Sequence, residues 1–384
     1  MTFTQIHETI NLLAKEVLGE EAINVVDTST FVAVGSKILS TDTNKEQFFK
    51  ALADRIGRVI VSVRSYGRHE VNGVSKSEME FGCILQKIHY TMPESNTNPA
   101  WIFDTQANPF DTTNTISVKA KLLVAGGTYS FETKIPDYQL KTAFINEVNM
   151  SAFISGLYTT ISNAMDLAIE NNNNMAVATG IAVALNSNKA TVKRNLLKEF
   201  NTLYGKTLTQ NACLSDKDFL LYAVNEMIIV KNSIARFSTL FNADGEEKFT
   251  PTANLNVEML SDFDIAIKSR LLASTYNKDL IELPKYSTVP YWQGTGTGNT
   301  FADKSKINVK IEGKEVATEQ SGIICYMHDD MAVSSTIMNE KIASLFNPFA
   351  DVTNYQHKAY LSYAVDGAEN GVVFYVADEN VAGV

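Results

Sequence analysis

Cysteine and proline are scarce: 3 and 8 of 384 residues. Cys83, Cys213 and Cys325 cannot build a disulfide framework and no spacing pairs them, so a reducing compartment is expected. Few prolines and 45% hydrophobic residues exclude a disordered chain and indicate an ordered globular one. No run approaches the roughly eighteen consecutive apolar residues that a membrane-crossing helix needs. The opening MTFTQIHETINLL lacks a basic segment followed by an apolar one, so no secretory signal is expected. Positive charge is also short, with 33 Lys+Arg against 43 Asp+Glu and a net charge of −10. No Lys/Arg block offsets that balance, so sequence-specific nucleic-acid binding is not expected. A chain of this length can hold two or three structural units around a sizeable core.

Signatures of chemistry are missing as well. Gly294-Thr-Gly-Thr-Gly298 is the one candidate phosphate cradle, but Asn299-Thr300-Phe301 follows and no Gly-Lys-Ser/Thr occurs anywhere. A surface loop is the plainer reading. The alternative it leaves is a cytosolic α/β enzyme or binding protein holding a phosphorylated small ligand on residues 294–298. Cys325-Tyr-Met-His328-Asp329-Asp330 is the stretch densest in metal-ligating side chains, yet it reads equally as a buried strand ending in a polar turn. There are five histidines and no His-Glu-x-x-His. Cys83 and His89, six apart on a strand, stand roughly 20 Å apart, too far to share an ion. No Gly-x-Ser-x-Gly elbow is present. No catalytic residue, cofactor or metal site is therefore assigned, and an enzyme is not expected.

What is there is length without interruption. Leu140 to Leu185 holds no proline and two glycines, Gly156 and Gly180. Ile154, Leu157, Ile161, Met165, Ala168 and Ile169 recur at three- and four-residue steps, which predicts a long amphipathic helix. Apolar spacing resumes after four asparagines in Met175, Val177, Ile181 and Leu185. Two helices split at Asn171–Asn174 is the alternative, since asparagine is a poor helix former.

Around that helix the pattern changes repeatedly. Thr2 and Gln5 form a capping box for a helix carrying Ile6, Ile10, Leu13 and Val17, which Gly19 can end. Residues 20–42 read as irregular, and a second helix fits Asn44–Ile56. Val59–Val63 and Phe81–Tyr90 read as the arms of a long hairpin. Its tip is charged by Arg64, Arg68, His69, Glu70, Lys76, Glu78 and Glu80. Such a hairpin is marginal alone in water, and lying on a partner is the favoured reading. A second hairpin is expected from Ile116–Val124 and Tyr129–Ile135, which alternate apolar and polar residues, save at Leu123, about Gly126-Gly127. Helices fit Val192–Tyr204, Asp216–Phe241 and Asp262–Thr275, and strands fit Asn254–Leu260 and Asp279–Leu283. Residues 284–322 are loop-rich, with a small hairpin around Ile307–Val316. The end is mostly strand (Gly322–Met327, Tyr355–Val365, Gly371–Ala377), with a helix near Ile337–Leu345.

This order of parts resembles the major capsid proteins of tailed bacteriophages with the Hong Kong 97-type fold, most of all the head proteins of small short-tailed phages related to phi-29. The likeness is carried by FKALADRIGRVIV (49–61), LKTAF (140–144) leading into FISGLYTTISNA (153–164), LNVEMLSDFDIAIKSRLLASTYNKDLIEL (255–283) and CYMHDDMAV (325–333). The resemblance implies an α+β chain in which residues 1–57 form an N-terminal arm and short helix. Residues 58–92 would be the extended hairpin (E-loop), with Arg64, Arg68, Glu70, Lys76, Glu78 and Glu80 as subunit-contact candidates. Residues 93–187 and 323–366 would be the peripheral domain with its spine helix, and 188–322 and 367–384 the axial domain. It further implies a structural protein of the virion that self-assembles in the host cytoplasm, as pentamers and hexamers, into an icosahedral shell around double-stranded DNA. Scaffolding and portal proteins would be its partners. No crosslinking residues can be matched, and residues 287–320 have no counterpart. An acidic wall suits packaged DNA, which it would not trap.

Overall fold

The computed structural model describes residues 3–19, 25–26, 28–41, 43–44, 47–48, 74–79, 84–90, 92, 118–124, 127–136, 147–270, 286–293, 298–311, 313–347, 349–350 and 352–378. Helix α1, Phe3–Leu18, follows its apolar stripe and closes at Gly19, whose φ of 59° is open to glycine at no steric cost. It packs against α2, Thr28–Ile38, which lies in a stretch expected to be irregular. The local sequence TSTFVAVGSKI is rich in weak helix formers. Its buried Phe31, Val34 and Ile38 recur at three- and four-residue steps, so packing supplies what propensity does not. Of the helix expected at Asn44–Ile56, only residues 44 and 47–48 are described, all helical.

The long helix is α3, Glu147–Leu185, 39 residues without a break and about 58 Å long. The asparagine run does not split it. Asn172 and Asn173 are buried, and Asn172 Nδ2 donates to Ser335 Oγ at 2.9 Å and to the Ser362 carbonyl at 3.2 Å. A side chain engaged with two strands is not free to compete with its own helix backbone, which is why asparagine disfavours helices elsewhere.

Those two strands belong to the first of two main sheets. Its order is β1 (Ser75–Met79), β11 (Val333–Asn347), β12 (Val352–Val365) and β4 (Gly127–Pro136). The second runs β5 (Lys193–Asn195), β13 (Gly371–Tyr375), β10 (Ile323–Asp329), β6 (Leu255–Leu260) and β7 (Tyr286–Val289). Helix α3 packs on both. Ala168 and Ile169 meet Leu361 of β12, while Ala176 to Ala184 meet Tyr326, Val333 and Val373. Gly180 permits the close approach, because a Cβ there would lie 2.8 Å from Tyr326 Oη. The other face of the second sheet carries α4 (Leu196–Tyr204), α5 (Lys217–Ile234) and α6 (Ser261–Arg270), packed through Phe200, Phe219, Met227 and Phe263. Sheet two is thus a layer between helices, and β10 at its centre is buried at every residue.

Several expectations from sequence are corrected here. The hairpin expected at 116–135 does not form. β3, Val118–Val124, pairs with β2, Ile84–Tyr90, whereas β4 pairs with β12. Alternation set each strand's two faces but not its partner. Ile337–Leu345 is not helical; it lies within β11, paired with β12 along its length. Lys193–Asn195 is a strand parallel to β13, and Asn195 caps α4 by accepting from the Lys198 amide. Helix α5 stops at Ile234, short of Phe241. The partner of Ile307–Val309 (β8) is Thr318–Gln320 (β9), not a segment ending at Val316. The first hairpin's second arm appears as β2, partnered with β3, while β1 runs parallel to β11. Residues 59–63 and 279–283 lie outside the described residues. Residues 323–329 are hydrogen-bonded into the second sheet, between β13 and β6.

Candidate functional site

The β2–β3 ribbon has its polarity the wrong way round for an isolated subunit. Register places Gln86 opposite Leu122, Ile88 opposite Ala120 and Tyr90 opposite Val118 on one face. All six are exposed, Ile88 at 50%, Tyr90 at 68%, Val118 at 58% and Leu122 at 61%. The opposite face carries Lys87 opposite Lys121 and His89 opposite Lys119. This basic face is turned toward the protein. Exposed apolar area gathered on one strand face marks a contact surface, unlike single exposed residues scattered over a protein.

Beneath the basic face lies an acidic seat from two loops. Asp244 and Glu246 come from the segment after α5; Asp366 and Glu369 come from the turn between β12 and β13. Lys121 Nζ is 2.9 Å from Asp244 Oδ2 and 2.9 Å from Asp366 Oδ1. Lys119 Nζ is 2.6 Å from Glu246, His89 Nε2 is 3.3 Å from Asp366 Oδ2, and Lys87 Nζ is 3.4 Å from the same oxygen. Lys87 also donates to the Met331 carbonyl. The Asp366 side chain is fully buried. Burial alone would raise its carboxyl, but the hydrogen bond and charge of Lys121, the Ala368 amide and the Lys87 charge outweigh it, and the net shift is downward. For Lys121, burial lowers the ammonium while bonds to Asp244 and Asp366 raise it, with a net upward shift.

His89, Asp366 and Glu369 bring one ligand atom each within 4.8 Å of one another, the geometry of a cation site. Lys87 Nζ stands 3.4 Å from Asp366 Oδ2 and 3.9 Å from Glu369 Oε1, so an ammonium already provides the compensating charge there. The partners of these three lysines and His89 were not apparent from sequence, because each pair joins residues over a hundred positions apart. The alternation of Lys87, His89, Lys119 and Lys121 was the one signal available.

Of the contact candidates, Lys76 and Glu78 lie on β1, in register with Ser335 and Ile337. Arg64, Arg68, Glu70 and Glu80 lie outside the described residues. The glycine loop does not make a phosphate cradle at its described end. A Cβ on Gly298 would lie 2.7 Å from Asp303 Oδ2, and that carboxylate accepts from Thr300 Oγ1 at 2.8 Å and, as half of a capping box, from the Thr300 amide at 3.4 Å. An acidic group there repels a phosphate. Residues 294–297 lie outside the described residues.

The stretch from Cys325 to Asp330 divides over the two faces of β10. Cys325 packs with the α4–α6 core and Tyr326 with the α3 core. His328 stacks on Tyr326 and is fully buried. Its Nδ1 lies 2.8 Å from the Asp329 carbonyl, which only accepts, so Nδ1 carries the proton. Its Nε2 is 3.6 Å from Glu258 Oε1 on β6. Burial first, then the Glu258 charge, pushes the Cys325 thiol and the Tyr326 phenol upward. Cys213, desolvated against α5, is pushed up to about 12. Neither described cysteine is a poised nucleophile.

Comparison with known proteins gives one coherent result. The family model described as "Phi29-like phage major capsid protein" matches residues 10–375. No curated protein matches the chain. Among solved structures, the capsid structure of Staphylococcus phage Andhra is similar at a TM-score of 0.53 and 9% identity, covering 81% of this chain and 84% of that one. A chain from the structure of the head fibre and inner core protein of native bacteriophage P68 is similar at 0.53 and 9%, covering 80% and 84%. At such identity the likeness is one of fold.

Proposed function

This chain belongs to the Phi29-like phage major capsid protein family and is a protein of the phage head shell; on that premise we propose that its β2–β3 ribbon is an arm by which one shell subunit holds the next. The carrying observation is the family match over residues 10–375. The ribbon's exposed face of Ile88, Tyr90, Val118 and Leu122 supports the assignment of the arm. A shell repeats one heterologous contact, so an apolar face open on every subunit finds its cover on another copy.

In this reading residues 1–57 are the N-terminal arm and 58–92 the E-loop, with Arg64, Arg68, Glu70, Lys76, Glu78 and Glu80 at subunit contacts. Because β3 pairs with β2, the arm extends to 118–124. Helix α3 is the spine of the peripheral domain, which takes 93–187 and, with β10 assigned to the second sheet, 330–366. The axial domain is the second sheet with α4–α6, from 188–329 and 367–384. The shell is icosahedral and encloses double-stranded DNA, assembled in the host cytoplasm with scaffolding and portal proteins. The phosphate-loop enzyme loses its support at Asp303.

The test is a pair of charge insertions, Ile88→Glu with Leu122→Glu. Both positions are solvent-facing in the subunit, so circular dichroism and the unfolding midpoint stay as in the parent. Sedimentation shows rings and shells for the parent and free subunits for the variant. Unimpaired shells from the variant would remove the arm assignment.

A further inference from the structure

The ribbon's seat has a property that its role as a contact arm does not require. Two of the three cross-strand pairs on its inner face set basic side chains opposite each other, Lys87 against Lys121 and His89 against Lys119, beside the Leu85–Leu123 pair. Directly opposed like charges destabilise a strand pair, so Lys87 and Lys121 work against closure at that point of the ribbon. What offsets the repulsion is outside the ribbon. Asp366 lies within 3.4 Å of Lys87, His89 and Lys121 and so bridges both pairs. Asp244 and Glu246 take the outer ends of Lys121 and Lys119. Glu369 stands 3.9 Å from Lys87 and is itself tied to Lys248 at 3.1 Å. Among the described residues, no ribbon side chain joins the buried hydrophobic clusters around the two sheets.

We propose that the β2–β3 ribbon is held to its own subunit by an electrostatic latch centred on Asp366, and that opening this latch frees the arm to take up its position on a second copy of the chain. The proposal rests on the reading of the ribbon as the subunit-contact arm and deepens it by naming what regulates it. The latch has two layers. Asp366, with no side-chain exposure, is shielded from salt, whereas the Lys119–Glu246 and Lys121–Asp244 pairs are half exposed and screened by it. The outer pairs therefore tune the arm with ionic strength, and Asp366 sets whether it is seated at all.

Hydrogen exchange of the unassembled full-length subunit, read by mass spectrometry on peptides covering 84–90 and 118–124, tests this without reference to shell formation. Raising salt from about 0.1 M to 1 M shortens the screening length to about 3 Å, and uptake in both ribbon peptides rises while peptides from α3 stay unchanged. Asp366→Asn raises ribbon uptake about tenfold or more already at low salt, because it takes the one buried carboxylate of the seat away from partly buried basic side chains. Lys121→Met, at a side chain 37% exposed, is the second variant. It removes one member of a repelling pair as well as one bond to Asp366, so it leaves less salt dependence than the parent. Ribbon uptake indifferent to salt and unchanged in Lys121→Met overturns the latch, even where Asp366→Asn fails to fold. Because the readout is on free subunits, loss of the latch leaves the shell assignment standing, and failure to assemble leaves the latch measurable.

Discussion

At the scale of single residues, a locally unfavourable choice can be offset by partners far away in sequence. Asn172 sits mid-helix, where it disfavours helix, and holds β11 and β12 through Ser335 and Ser362. Asn172→Ala removes both bonds and leaves Ser335 Oγ without its buried donor, so unfolding by denaturant should show a loss of about 1–3 kcal/mol. Gly180 is a second such point. Gly180→Ala improves local helix propensity by about 1 kcal/mol, yet its methyl would press on Tyr326 Oη at 2.8 Å and on Val333 Cγ2 at 3.2 Å. Tyr326 is fully buried and cannot swing away, so the variant should be less stable than its parent, by thermal unfolding, despite the better helix former. At this scale the sequence was readable where the cause is local. Gly19 as a helix stop is a matter of backbone sterics and needs no partner. Asn172 was misleading because its hydrogen bonds go to residues 163 and 190 positions away.

At the scale of elements, periodicity identified β3 and β4 as strands and left their partners open. Ile116–Val124 and Tyr129–Ile135 share the same alternation, and a glycine pair between them suggested a hairpin. The structure sends them to different sheets because β12 offers β4 a ten-residue partner, Val352–Leu361 against Gly127–Pro136. β3 finds β2, whose alternating apolar and basic residues match its own. Only the first half of that outcome, the existence and facing of each strand, is encoded within the strand itself. The ribbon's response to acid follows from the groups that face its seat. From the ribbon these are Lys87, His89, Lys119 and Lys121; from the body they are Asp244, Glu246, Lys248, Asp366 and Glu369. Asp366 is held below the ordinary carboxylate value. A group of that kind contributes stability above its unfolded value of about 3.9 and loses it as pH falls through the lower folded value. Asp366 therefore stays ionised through mildly acidic conditions, and its share of the latch is lost only below about pH 4. Proteolysis by an acid-active protease across pH 5 to 2, with Asp366→Asn beside the parent, reads this directly. The parent's ribbon should become cleavable at the low end of the range, and the variant's should be cleavable throughout.

At the scale of the whole molecule, two sheets joined by one 39-residue helix make a body that depends on α3 for its shape. Ala168–Ile169 of the helix pack on Leu361 of the first sheet, and Ala176–Ala184 pack on Tyr326 and Val373 of the second and on Val333 at the start of β11. Bending or breaking α3 between them would shift one sheet against the other. A proline at Met175, which is exposed and lies between the two contacts, removes a backbone bond and costs about 3 kcal/mol or more in a helix interior. The Met175→Pro subunit should keep strand content by circular dichroism yet fail to build closed shells under the electron microscope. Two things at this scale were legible in the sequence: the uninterrupted run from 140 to 185 announced a long helix, and the order of parts pointed to a shell protein. The assignment of β10 to the second sheet was not, since a strand buried on both faces shows no alternation to say which neighbours it has.

The central claim is that this chain is a head-shell subunit whose exposed ribbon face is covered by a second copy. Electron cryo-microscopy of heads assembled from it tests that claim at residue level. The expected map shows the chain repeating through the shell, with Ile88, Tyr90, Val118 and Leu122 packed against a neighbouring subunit. A shell built of another chain, or one built of this chain with that face open to solvent, would contradict it.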